Sequence, residues 1–358
     1  CEVAGADPED LGGPPAEPGP ARGGESTGED GGAGQPVGIE RDVVGHGQSV
    51  WCATAMTHLS ITHRSTVTED QIDHLGHMNV RFYGVNARLG TEAVLARLGA
   101  PSDLAFPLVD VYTRHHREQL RGARLAVQSG VLDAGPDAVR VYHELVNEDT
   151  GDLAATFVHR AEARTAQGER TGVPDAVVRQ AAETTVEVPE RGATRSLSLD
   201  ADPTARPPSL SEVVERNLAM RKIRTIAADE CGPDGRYLVD NAPALLWAGE
   251  TLDGRDAVWL RDGPDGEKMG WASMETRMGV LRMPSVGDRI QSFGATVALG
   301  DKTSHVMLWA FDVDRGDLLA VFEVVSLAFD TVARRAMSIP DAVRAEERDR
   351  FHPDLAAI

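Results

Sequence analysis

Cysteine is scarce in this chain: three residues in 358, Cys1, Cys52 and Cys231. They are odd in number and far apart, which excludes a disulfide framework. No Cys-x-x-Cys pair and no His-Glu-x-x-His run occurs, so no metal site is expected. His115 and His116 are adjacent, and adjacent side chains of an extended segment point to opposite faces rather than to a shared ion. Long apolar runs are also missing. None approaches the ~20 residues that a membrane helix needs, so no membrane span is expected. Positive charge is in deficit, with 36 basic against 56 acidic residues and a net charge of -20. Nucleic acid is thereby excluded as a partner, because phosphate binding needs clustered Lys and Arg. There is no Walker loop and no Gly-x-Ser-x-Gly elbow. Gly45-His46-Gly47-Gln48-Ser49 looks like a hydrolase loop, but it sits in a polar stretch with no strand or helix around it.

With 41% hydrophobic and 26% charged residues, the chain suits one or two globular domains. Residues 1–50 differ from the rest. They hold 13 Gly and 6 Pro, with ten acids against two arginines. Such a segment buries too little apolar surface to offset its ordering entropy, and residues 1–55 are expected to be a disordered acidic tail. The chain begins at Cys1 rather than at Met. A lipidated N-terminal Cys is one reading; an overlong gene start, with Met56 as the natural one, is preferred.

Beyond residue 56 the chain repeats itself. Gly122-Ala123-Arg124-Leu125 returns as Gly287-Asp288-Arg289-Ile290, and Gly151-Asp152-Leu153-Ala154 as Gly316-Asp317-Leu318-Leu319, both at an offset of 165. Pro174-Asp175-Ala176-Val177 returns as Pro340-Asp341-Ala342-Val343 at an offset of 166. Each half reads as a short strand, a Gly turn, one helix and a run of strands. In the first half the spacing predicts a helix over 80–98, with Phe82, Val85, Leu89, Ala93, Ala96 and Leu98 as its apolar stripe. Gly99 and Pro101 stop it. Strands are predicted at 108–118, 123–133, 138–147 and 153–164, where Val139, Val141, His143 and Leu145 alternate. In the second half a strand at 221–229 leads to the turn Gly232-Pro233-Asp234-Gly235 and a helix near 240–250. Strands follow at 271–281, 289–299, 303–313 and 318–330. The intervening Pro-bearing stretch should cross the surface, with a short helix at 177–182. The predicted class is α+β, each unit a long helix wrapped by an antiparallel sheet.

Chemistry concentrates in Asp73-His74-Leu75-Gly76-His77-Met78-Asn79. An acid, a flexible Gly turn, an imidazole and an amide fall within seven positions just before the predicted helix. Asp73 can act as general base or nucleophile. Backbone N–H groups of Met78 to Val80, at the helix start, can hold an oxygen that becomes negative. Losing one such donor costs roughly 3–4 kcal/mol in hydrolases. Gly76 lets backbone approach a substrate closely. Asn79 either caps the helix or touches substrate.

This run, Asp-x-x-Gly-His-Met-Asn, resembles the signature of hotdog-fold acyl-CoA thioesterases, the 4-hydroxybenzoyl-CoA and betainyl-CoA thioesterase relatives. The resemblance implies a tandem (double) hotdog fold: residues 56–165 as hotdog domain 1, 166–208 as linker, 209–337 as hotdog domain 2 and 338–358 as a C-terminal tail or helix. It implies hydrolysis of an acyl-CoA or acyl-ACP thioester in the cytoplasm, without a cofactor. Asp73, His77 and Asn79 would be catalytic, with Gly76, Met78 and Val80 against the substrate. Thr113 shares a face of the next strand with His115, which puts it either in the pocket wall or on a surface strand. Plant acyl-ACP thioesterases are similar too, and His77 falls on their functional His. Their Asn two residues after the acid is Leu75 here, which leaves His77 as an orienting or water-holding group. Hotdog units pair edge to edge, and two copies in one chain satisfy that pairing internally; a homodimer of such chains stays open.

Aligning Gly235 with Gly76 puts Gly232 where Asp73 stands, Arg236 at His77 and Leu238 at Asn79. The second half is therefore expected to carry a degenerate site, with Arg236 as a candidate for a CoA phosphate. Glu92 is read as a solvated helix residue and Tyr83 as core. Two other functions suit the same fold: a non-catalytic acyl-CoA-binding or regulatory protein, which would not need Asp73, and an enoyl-CoA hydratase, whose Asp and His arrangement is not found.

Overall fold

The computed structural model describes residues 59–73, 76–241, 261–262, 268–348 and 350–357. The expected tail and most of the helix expected near 240–250 lie outside them. The first run of elements is β1 (Ser60–Thr66), α1 (Val80–Arg97), β2 (Leu108–His115), β3 (Arg124–Ala134), β4 (Ala138–Asn147) and β5 (Leu153–Glu162). After α2 (Asp175–Ala182) and α3 (Leu210–Glu215) come β6 (Ala219–Met220), β7 (Arg224–Thr225) and β8 (Arg261–Asp262). Then follow β9 (Lys268–Val280), β10 (Arg289–Leu299), β11 (Thr303–Asp312), β12 (Leu318–Asp330), β13 (Arg335–Ala336) and α4 (Asp341–Arg348). Among the described residues the strands form one antiparallel sheet in the order β1-β3-β4-β5-β2-β9-β12-β11-β10-β6. The junction is β2 against β9, with Val111 opposite Met278 and Thr113 opposite Thr276. It turns two would-be edges into an interior pair and so removes a site of uncontrolled strand pairing.

α1 forms where its spacing predicts, but a different face is buried. Tyr83, Asn86, Ala87, Gly90, Thr91, Val94 and Leu95 point into the sheet; of the expected stripe Leu98 is buried, Phe82, Val85, Leu89 and Ala93 are half-buried and Ala96 is exposed. The reason is that the middle of the buried face, Asn86 to Thr91, is small and polar, with large apolar side chains only at its ends. A Cβ at Gly90 would lie 2.8 Å from Val127 Cγ1, so Gly lets the helix sit close to β3. Asn86 accepts from Ser65 Oγ at 2.6 Å. Tyr83 and Ala87 pack on Val127, Leu145 and Phe157, while Val94 and Leu95 pack on Val131 and Val139 with Val177 of α2. Gly99, at φ 71°, ends the helix; Gly99 and Ala100 donate back to Ala96 and Leu95, the usual left-handed C-terminal closure.

The linker does more than cross the surface. It lies on the sheet face opposite α1, where Leu197 and Leu199 meet Tyr112, Tyr142 and Val158. Buried charges hold it. Glu275 of β9 accepts the N–H groups of Arg195, Ser196 and Leu197 at 2.6, 2.8 and 3.0 Å. Arg277 pairs with Asp110 at 2.6 Å and donates to the Ser198 and Ala201 carbonyls. Arg114 donates to the Ala193 carbonyl at 2.7 Å, and Arg191 forks onto Glu144. The strand expected at 221–229 is reduced to β7 and a 3-10 turn at Ala228–Glu230. The Glu230 carboxylate accepts the Ala227 N–H at 2.9 Å, which closes that turn and competes with strand pairing.

Candidate active site

Asp73 stands between a 3-10 turn (Glu69–Gln71) and α1. Thr68 N–H donates to the Gln71 side chain at 3.2 Å, which closes the 3-10 turn. The loop beyond is tied by backbone bonds. Asp73 N–H donates to the His77 carbonyl at 2.9 Å, Gly76 N–H to the Asp73 carbonyl at 3.0 Å and Asn79 N–H to the Gln71 carbonyl at 2.9 Å. Gly76 has φ 84°, a conformation that costs a side-chain-bearing residue. The result folds the carboxylate back toward the helix. The Asp73 side chain is 15% exposed, and its Oδ2 lies 3.6 Å from His77 Nδ1.

Of the three amides expected to face an oxyanion, two are already engaged. Met78 N–H donates to the Gln119 carbonyl at 2.7 Å and Asn79 N–H to Gln71, and the Met78 side chain is core. Val80, the first residue of α1, has no acceptor inside the helix, and its side chain is exposed. Asn79 resolves as a cap: its side chain accepts the Arg81 N–H at 3.0 Å. Thr113 is buried in β2 between Phe157 and Thr276. It shares its face with His115, whose ring meets Tyr83 edge-on at 5.4 Å.

The sequence reading missed the residues that buttress the loop. Gln119 is buried, and its side-chain oxygen accepts from Asn147 at 2.8 Å. Glu118 lies 3.5 Å from His77 Nε2, so the imidazole is bracketed by two carboxylates, and Arg334 pairs with Glu118 from the far end of β12. Arg334 adopts φ 52°, rare for a residue with a side chain, and its guanidinium sits over the Phe329 ring. Tyr83 donates to the Arg117 carbonyl at 3.2 Å. Burial pushes its hydroxyl pKa up, and the nearby Glu118 and Asp73 carboxylates add to that. Glu92, as expected, is exposed and pairs with Arg88, which also holds Asp240 at 2.9 Å.

Behind α1 runs a buried polar chain. Thr62 lies 2.7 Å from Ser129 and 3.2 Å from the Val127 carbonyl. Ser129 is bonded to His143 Nδ1 at 2.6 Å, and His143 Nε2 to Thr91 at 2.9 Å. Thr91 is also bonded to His159 Nδ1 at 2.8 Å, with the Ala87 carbonyl at 3.4 Å. Each hydroxyl has one proton to give and can accept from the others. Burial holds His143 well below the ordinary imidazole pKa and His159 at about 3; both are neutral at pH 7. Burial also lowers His115 to about 4. His116 points away from His115, toward Thr156, and among the described residues no three His, Cys, Asp or Glu side chains gather as a metal site. No described helix is long and apolar enough to cross a membrane.

The second half repeats the loop's bonds without its acid. Gly232 N–H donates to the Arg236 carbonyl at 2.8 Å, Gly235 N–H to the Gly232 carbonyl at 2.9 Å and Tyr237 N–H to the Pro284 carbonyl at 2.8 Å. Gly235 has φ 72°. The Arg236 guanidinium lies against Gly168 of the linker.

Residues 67–188 match the Thioesterase-like superfamily. Over 123 residues the chain is 29% identical to the L-carnitine dehydrogenase/betainyl-CoA thioesterase of Agrobacterium fabrum, a match over 33% of this chain and 25% of that protein. The chain thus spans about a quarter of the length of that curated relative. A putative oleoyl thioesterase from Lactobacillus plantarum superposes with a TM-score of 0.56 at 9% identity, covering 75% of this chain and 97% of its own. The 12:0-ACP thioesterase from Umbellularia californica does so with a TM-score of 0.55 at 9% identity, covering 74% and 93%. At such identity these likenesses speak to the fold. Residues 67–188 thus resemble the thioesterase-like superfamily, and the chain has the fold of the hotdog thioesterases, an antiparallel sheet with few helices.

Proposed function

We propose that the protein hydrolyses an acyl thioester carried by CoA or acyl carrier protein, with Asp73 as the reacting carboxylate. The observation that carries this reading is a largely buried carboxylate beside an imidazole at the amino end of α1. As general base, Asp73 takes a proton from water while the water oxygen bonds to the acyl carbon. The carbonyl oxygen becomes negative against the Val80 N–H. Collapse breaks the carbon–sulfur bond, and the departing thiolate takes the proton from Asp73. As nucleophile, Asp73 would bond to the acyl carbon itself and expel the thiolate, and water would then cleave the anhydride. His77, between Asp73 and Glu118, orients the carboxylate and the water. Gly76 and Thr113 shape the wall, and Met78 supports the loop from the core.

The chain is a tandem double hotdog in this reading, with domains at 56–165 and 209–337 joined by residues 166–208 and followed by 338–358. The repeated loop bonds support it, as do the left-handed glycines Gly122 and Gly287, and Gly151 and Gly316, each pair 165 residues apart. The second loop carries Gly232 where Asp73 stands and contributes structure, not chemistry. CoA and carrier-protein thioesters are cytoplasmic, and so is the protein. A thiol-release assay over short, long, aromatic and betaine-type acyl-CoAs tests the reading. Activity on at least one class, lost by about 100-fold or more in Asp73→Asn, supports it. Binding without turnover would favour an acyl-binding regulatory role.

A further inference from the structure

On the sheet face opposite α1 lies a cavity of about 600 Å³, a volume that suits a nucleotide-sized ligand. Its floor is β2, β4, β5 and β9; its walls are the loop after β5 and linker residues 199–204. The lining is rich in arginine although the chain carries a net charge of -20. Arg140 and Arg160 stand directly opposite each other on β4 and β5, a like-charge pairing that costs stability unless anions compensate.

The compensation present is incomplete. The buried Glu162 carboxylate gathers three guanidinium groups: Arg170 at 2.6 Å, Arg160 at 2.7 Å and Arg164 at 3.4 Å. One acid thus answers three cations. Arg140 pairs with the exposed Asp133 at 3.1 Å. Asp110, opposite Arg160 on β2, is committed to Arg277. Of the linker acids at the mouth, Asp202 turns to the Thr204 N–H and hydroxyl at 2.8 and 2.7 Å, and Asp200 is exposed. The cations are arginines, whose planar forks suit phosphate and carboxylate oxygens. Val109, Val158, Leu199 and Pro203 supply apolar wall beside them.

We propose that this cavity binds an organic phosphate of nucleotide size, its phosphate taken by Arg160, Arg164 and Arg140 and its body by the apolar wall. The site lies on the other face of the sheet from Asp73 and does not depend on thioester hydrolysis. An occupant bridges β5 to the linker, so binding pins the strap that covers the β2–β9 junction.

The test is calorimetric titration of the full chain at low salt with ADP, 3′,5′-ADP (the nucleotide end of CoA) and inorganic phosphate. Saturable binding of either nucleotide, tighter than inorganic phosphate and weakened at least about tenfold in Arg164→Gln and in Arg140→Gln, is the expected result; screening by added salt should weaken it further. Preference between the nucleotides tells a CoA-derived ligand from a free nucleotide. Asp73→Asn should bind like the wild type, which separates this site from the thioester site. No saturable nucleotide binding, binding no tighter than inorganic phosphate, or unchanged affinity in folded Arg164→Gln and Arg140→Gln proteins overturns the proposal.

Discussion

Replacing Thr91 by Val would remove one hydroxyl and leave the shape of the side chain nearly intact. That hydroxyl is hydrogen-bonded to His143 Nε2 at 2.9 Å and to His159 Nδ1 at 2.8 Å. All three residues are buried, and His159 Nε2 already has no hydrogen-bond partner among the described residues. Water cannot replace the lost partner without opening the helix–sheet contact. Each buried nitrogen left unsatisfied costs about 1–3 kcal/mol, so Thr91→Val should destabilise the protein by about 2–6 kcal/mol. That is a large share of the ~5–15 kcal/mol that holds a typical domain. Thr91→Ser keeps the hydroxyl and sheds one methyl, and should lose only about 1 kcal/mol. Urea unfolding of the two variants decides the matter, with unchanged m-values required for the comparison. A loss below about 1 kcal/mol in Thr91→Val would refute the claim that a buried hydrogen-bond chain, rather than packing alone, seats α1.

Val80→Pro removes a backbone N–H at the first helical position, where proline is tolerated. Asn79, at φ -58° and ψ 138°, already has the conformation that a residue before proline prefers. The variant should fold normally and lose about 10²–10³ in kcat; wild-type turnover would remove the Val80 amide from the mechanism. His77→Gln should lower kcat by about 10–100-fold with little change in KM, checked by steady-state kinetics. Gly90→Ala, which drives a Cβ to 2.8 Å from Val127, should cost about 1–3 kcal/mol in thermal or urea unfolding. Acid should destabilise the fold. Burial keeps His115 at about 4 and His159 at about 3, against 6.5 for the free side chain. The unfolded chain therefore takes up more protons as pH falls. The stability these groups contribute is complete above about pH 6.5 and is lost toward pH 4 and 3. Unfolding free energies measured down this range should fall steadily; a flat profile contradicts the burial of neutral imidazoles.

The strands and α1 were legible because period-2 and period-3.6 patterns are written in neighbouring residues. The Asp73 loop was legible for the same reason: its acid, glycine and imidazole are close in sequence. The buried face of α1 was misread because Asn86, Gly90 and Thr91 serve close approach and hydrogen bonding to β1, β3, β4 and β5, not hydrophobicity. Gln119 and Glu118 were invisible because their partners are remote. Arg334, 216 residues from Glu118, meets it only when the far end of β12 is in place. The linker's packing was hidden likewise, since Glu275 and Arg277 grip its backbone, which leaves no side-chain signature.

Thioester hydrolysis by this chain turns on the Asp73 carboxylate. Single-turnover hydrolysis of a cognate acyl-CoA in ¹⁸O-labelled water, run for wild type and Asp73→Asn, tests it most directly. A wild-type rate that falls by about 100-fold or more in the variant, with the fold unchanged, is what the geometry predicts. Equal rates in the two proteins would contradict it.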